Sequence, residues 1–88
     1  MKEMDVDAAR EVANGLLTRL SSELGDALEL LPEETKAVHS GWVFFYNSAD
    51  YVRTGNAVDA LAGNGPIFVS RDGCVRLLDS ADDWVNQL

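Results

Sequence analysis

Gly41-Trp42-Val43-Phe44-Phe45-Tyr46-Asn47-Ser48 is the stretch on which the fold turns. Aromatic and β-branched side chains fit a pleated surface, and Gly41 and Asn47-Ser48 punctuate the run, so Trp42 to Tyr46 is expected as one strand. Alternation along it sends Trp42, Phe44 and Tyr46 to one side and Val43 and Phe45 to the other. A strand that is apolar on both faces belongs in the middle of a sheet, and it demands two covers.

The first cover lies upstream. Val6, Ala9, Ala13, Leu16, Leu17, Leu20 and Leu24 recur at intervals of three and four, which places them on one stripe of an α-helix. Asp5 suits the N-cap, Asp7 the positive end of the dipole, and Gly25 the left-handed stop. Gly15, inside the helix, costs about 1 kcal/mol relative to Ala, which leads us to expect close packing against another backbone there.

Between helix and central strand, Ala27 to Leu31 is expected as a strand. Pro32-Glu33-Glu34 interrupts it, because Pro offers no ladder amide, and pairing resumes near Thr35 to Val38. Downstream, Ile67-Phe68-Val69-Ser70 and Val75-Arg76-Leu77-Leu78 flank Arg71-Asp72-Gly73-Cys74, whose Asp-Gly step signals an antiparallel hairpin. A short helical turn is expected from Ala49 to Thr54, closed by Gly55. Ser80-Ala81-Asp82-Asp83 has capping-box spacing before a brief terminal helix that carries Trp84, Val85 and Leu88 on one face. These elements make an α+β domain spanning residues 1–88, its N-terminal helix packed on a roughly four-stranded antiparallel sheet, with a short C-terminal helix. The second sheet face has three candidate covers: the chain's own later segments, a second copy in a homodimer, or a partner.

Seven Lys and Arg stand against fifteen Asp and Glu, a net charge of -8 over 88 residues. Phosphate backbones and anionic lipid would be repelled, so neither nucleic acid nor membrane is an expected partner. The opening residues are too acidic for a secretion signal, and no apolar run approaches the roughly 18 residues of a spanning helix. A lone cysteine, Cys74, excludes an intrachain disulfide, and a cytoplasmic location follows as the simplest expectation.

Catalytic chemistry finds little support. Gly63-Asn64-Gly65-Pro66 precedes a strand and lacks the Lys-Ser/Thr pair of a phosphate loop, so a shaped turn explains it. His39 and Cys74 are the only candidates for an imidazole-thiol pair, and their spacing does not place them together. Asp82-Asp83 and Glu33-Glu34 suit a helix start and an exposed turn, without the spacing of a metal site. We expect no enzyme, no cofactor and no metal. Aromatics near acids offer a binding surface: Tyr46, Asp50, Tyr51 and Asp59, with Asn64 on the neighbouring loop, are the expected partner-binding residues, and the charge favours a basic target. Trp42 and Phe44 are more simply accounted for as sheet core.

Gly41 to Ser48, Tyr51, Ala60-Leu61-Ala62-Gly63-Asn64-Gly65-Pro66-Ile67 and Asp72-Gly73 together resemble the YrhB-like immunity protein 35 family of bacteria. The resemblance implies a small cytoplasmic, non-enzymatic protein of a toxin-immunity locus that binds a cognate protein toxin and blocks it. Its motif residues have structural explanations: Gly41 for strand entry, Trp42, Phe44 and Phe45 for the sheet, and Gly63, Gly65 and Pro66 for the loop beside it. One branch is similar to a stress-induced chaperone, which implies an alternative as an ATP-independent, holdase-like heat-shock protein using a bare apolar sheet face.

Overall fold

The computed structural model describes residues 4–56, 58 and 65–88. Helix α1 runs Val6–Leu24, capped by the Asp5 carboxylate, which accepts from the Ala8 amide at 2.9 Å, and closed by Gly25 in the left-handed region. Strand β1 (Leu28–Leu30) is followed by a 3₁₀ turn at Pro32–Glu34, then β2 (Lys36–Val38), β3 (Gly41–Phe44) and β4 (Tyr46–Ser48). The short helix α2 (Ala49–Thr54) starts at a Ser48 cap and stops at Gly55, as its sequence signals require. Strands β5 (Ile67–Ser70) and β6 (Val75–Leu77) form the Asp72-Gly73 hairpin, and a second 3₁₀ turn occupies Trp84–Gln87.

The four-stranded sheet has the order β2-β3-β5-β6, antiparallel throughout, so β3 is central as its two apolar faces demand. The expected single strand from Trp42 to Tyr46 is corrected, however: it divides at Phe45. β3 stays in the large sheet, whereas β4 pairs with β1 in a separate two-stranded sheet. The cause lies across the ladder. Phe44 opposes Ile67, and the next position on that strand is Pro66, which has no amide to donate. Phe45 instead offers its carbonyl to the Leu31 amide at 2.8 Å, and the chain passes to its new partner.

Ala9, Ala13 and Leu17 of α1 are buried against Leu28, Trp42, Phe44, Ile67 and Val69, with Tyr46 partly buried at the margin. Two alanines on the contact stripe let the helix lie close to the strands. Val43, Phe68 and Leu78 are buried on the opposite face, flanked by Val38, Phe45 and Trp84. The alternation expected along Trp42 to Tyr46 therefore persists through the strand break. Phe44, Ile67, Val43 and Val69 are fully buried, each side chain contributing about 1.5–3 kcal/mol.

The question of the second cover has an internal answer: Leu78 and the Trp84 turn lie on that face. Trp84 meets Phe45 edge to face, with ring centroids 6.2 Å apart and planes at 79°. This cover does not take the form expected from Ser80 to Asp83. The Asp83 side chain caps nothing, the helix is a four-residue 3₁₀ turn, and Val85 and Leu88 remain exposed. Docking of Trp84 onto Phe45, together with an Asp79 turn in which its carboxylate accepts from the Ala81 amide at 2.9 Å, outweighs the local capping signal. Close packing at Gly15 is also overturned: the residue is exposed, and a Cβ built there meets nothing within 4 Å.

Arg71 ties the two hairpins of the large sheet together. Its guanidinium donates to the carbonyls of His39 (2.8 Å) and Val38 (3.1 Å) and lies 5.0 Å from the Trp42 ring centroid. Arg76 plays a similar part at the other end, 5.6 Å from the Phe68 ring and donating to the Gln87 carbonyl at 2.7 Å.

Candidate functional site

A cleft of about 230 Å³ opens where the chain changes sheets. Phe45, Tyr46, Gly65 and Pro66 form one side, and Asp79, Ser80, Asp82, Asp83 and Trp84 the other. Gly65 is required for the two sides to approach. A Cβ there would lie 1.9 Å from the Leu78 carbonyl oxygen and 2.6 Å from its carbon, both backbone atoms that cannot swing away. The Leu78 amide also donates to the Pro66 carbonyl at 2.9 Å, which holds the loop and the second cover in fixed register.

The acidic side is organised by Gln87. Its Oε1 accepts from the Asp79 amide at 2.7 Å, while its Nε2 donates to the carbonyls of Asp79 (2.8 Å) and Asp82 (3.2 Å). One Asp82 carboxylate oxygen accepts from the Asp83 amide at 2.9 Å. The Asp83 carboxylate makes no hydrogen bond among the described residues. Among the described residues, none lining the cleft is Lys, Arg or His. Arg76 reaches the same terminal turn but is engaged by the Gln87 carbonyl and the Phe68 ring. The described lining thus combines the carboxylates of Asp79, Asp82 and Asp83 with the rings of Phe45, Tyr46 and Trp84.

Of the expected partner-binding residues, Tyr46 alone lines this cleft among those described. Its hydroxyl oxygen is buried without a hydrogen-bond partner among the described residues, and burial pushes the phenol's pKa up. Asp50 and Tyr51 sit on α2. Asp50 is exposed and paired with Arg53 at 2.9 Å, which offsets its charge, and Tyr51 is partly buried, its amide bound to the Ser48 hydroxyl. Asp59 and Asn64 lie outside the described residues, as does Gly63.

The expected framework residues fall into two groups. Gly41, Trp42 and Phe44 are buried in the sheet, Gly41 because a Cβ would lie 2.1 Å from the Val69 carbonyl oxygen. Phe45, Gly65 and Pro66 line the cleft. Sequence reasoning missed Asp79 and Trp84 as site residues and explained Asp82 and Asp83 as a helix start. Their contribution depends on a fold-back onto Phe45 that local spacing does not encode. His39 and Cys74 are both exposed and neither lines the cleft.

Among the described residues, no group of three or more His, Cys, Asp or Glu side chains converges closely enough to hold a metal ion, and no helix is long and apolar enough to cross a membrane. What the cleft can do chemically is bind: it offers carboxylates to accept hydrogen bonds and aromatic rings to pack against. A family model described as Immunity protein 35 matches residues 7–87. The chain belongs to the immunity protein 35 family. The match runs from the first turn of α1 to the terminal 3₁₀ turn, so both walls of the cleft lie within the family region. No curated protein and no solved structure matches the chain.

Proposed function

We propose that this family member neutralises a cognate protein toxin by binding it, without catalysis or cofactor, in the cytoplasm of the bacterium that makes the toxin. The observation that carries the reading is the family match over residues 7–87. Its acidic charge supports it: a net charge of -8 steers encounter with a basic protein surface and raises the association rate. Tyr46, Asp50 and Tyr51, with Asp59 and Asn64, remain proposed members of the binding surface.

The YrhB-like assignment within the family belongs to this proposal and rests on the motifs at Gly41 to Ser48 and Gly63 to Ile67. The holdase alternative drew its support from a bare apolar sheet face, and that support weakens because Leu78 and Trp84 lie over the face.

Co-expression tests the function. Bacteria carrying the toxin gene adjacent to this one survive when the chain is present, and the purified pair co-elutes at fixed stoichiometry. Equal survival without the chain refutes the reading, as does rescue with no complex formed.

A further inference from the structure

We infer that the cleft between Pro66 and Trp84 receives a basic side chain, preferentially arginine, projecting from the surface of the protein the chain binds. The proposed immunity function enters only in identifying that protein as the toxin.

Size is the first argument. A space of about 230 Å³ is too small for a helix or strand and suits one long side chain. The second is the floor. The Trp84 and Phe45 rings meet edge to face, and with the Pro66 ring they line the cleft with apolar surface; a planar guanidinium stacks on the face of one ring while its methylene stem lies desolvated. The third is the rim, where Asp79, Asp82 and Asp83 supply carboxylates with no lining cation among the described residues to neutralise them. One oxygen of Asp79 and one of Asp82 are engaged by backbone amides, whereas the Asp83 carboxylate faces no hydrogen-bond donor among the described residues.

Competing occupants fit less well. Phosphate or a nucleic acid would meet like charge, and a purely apolar side chain would strip water from carboxylates without replacing it. A divalent cation lacks a convergent ligand set among the described residues. Arginine satisfies the rim with several donors and the floor with its plane. The cleft is also organised before binding, since Gln87 pins both Asp79 and Asp82 and the Gly65–Leu78 approach fixes the walls, so little ordering remains to oppose the contact.

The test uses the whole chain and Nα-acetyl-arginine methylamide, followed by ¹H–¹⁵N NMR, with the uncharged citrulline analogue as control. Saturable shifts are expected at the Trp84 indole and at the amides of residues 79–84, at millimolar concentration and weakened by salt. The variant D82N/D83N keeps the amide-accepting oxygens and therefore the turn. It should weaken arginine binding about two- to thirtyfold, as expected for losing two exposed charge contacts, with the rest of the spectrum unchanged. Absence of saturation, equal shifts with citrulline, or shifts centred on α2 would each overturn the inference. Failure of the two ideas is separable: a D82N/D83N protein that still neutralises the toxin fully removes the cleft from the interface. Arginine binding in a chain that protects against no toxin instead removes the immunity function.

Discussion

Two glycine-to-alanine substitutions, identical as chemistry, should move stability in opposite directions. At Gly15 the added methyl meets nothing within 4 Å and the residue is exposed in the middle of α1. The change therefore removes only the excess backbone freedom of glycine, and Gly15→Ala should stabilise the fold by about 0.5–1 kcal/mol. At Gly65 the same methyl lands 1.9 Å from the Leu78 carbonyl oxygen, so one of two backbone segments must retreat by more than an ångström. Retreat costs overpacking strain of about 1–3 kcal/mol, and it strains the Leu78–Pro66 hydrogen bond as well, for a further 0.5–1.5 kcal/mol or so. Gly65→Ala should thus destabilise by about 2–4 kcal/mol. Urea titration followed by far-ultraviolet circular dichroism reads both changes. For a domain of this size 1 kcal/mol corresponds to roughly 4–8 °C in Tm, so thermal melts should separate the two variants by at least about 10 °C. Equal effects at the two sites, or a stabilised Gly65→Ala, would refute the close approach on which the cleft geometry depends.

Asp5→Ala removes the carboxylate that caps α1 and should lower stability by about 1 kcal/mol in the same urea titration, while Asp5→Asn retains most of it. Trp84→Ala strips the edge contact to Phe45 and part of the cover over Val43 and Phe68. A loss of about 1.5–3 kcal/mol is expected for a partly buried aromatic, together with increased binding of a hydrophobic dye. Asp72, in the hairpin turn, accepts from the Ser70 hydroxyl and the Cys74 amide, which holds its carboxyl below the usual aspartate pKa. Its contribution is present above the unfolded-chain value and disappears as pH falls through the lower folded midpoint. Carboxyl ¹³C titration should therefore show Asp72 protonating below the ordinary aspartate value, and a midpoint at that ordinary value would contradict the turn geometry.

Elements whose ends are written locally were legible before any coordinates. Asp5 and Gly25 bound α1, Ser48 and Gly55 bound α2, and Asp72-Gly73 marks the hairpin, because caps and tight turns are satisfied within a few residues of chain. The division at Phe45 was not legible from that run alone, since it depends on Pro66 arriving opposite only once β5 has found its register. Gly15 was open to a better reading: it falls off the stripe formed by Ala9, Ala13, Leu16, Leu17 and Leu20, so the pattern itself points it outward. The cleft was the least legible part. Ser80 to Asp83 has the spacing of a helix start, and only the tertiary contact between Trp84 and Phe45 converts those acids into one wall of a site.

The two covers of the sheet are unequal. One is a helix of nineteen residues, the other a short segment held by Leu78, Trp84 and the Gln87 bonds. Among the described residues the lighter cover is held by fewer elements than the helix-side core, so it should open as a sub-global unit at a fraction of the free energy of complete unfolding. Amide exchange would then be fastest along residues 78–87 and slowest in α1 and the central strands. A side chain lodged between Pro66 and Trp84 bridges that weaker unit to the rest of the molecule, so occupancy should slow exchange there before it alters any average coordinate. Partner engagement would be recorded in this protein as lost motion on one side of the sheet, with its shape unchanged.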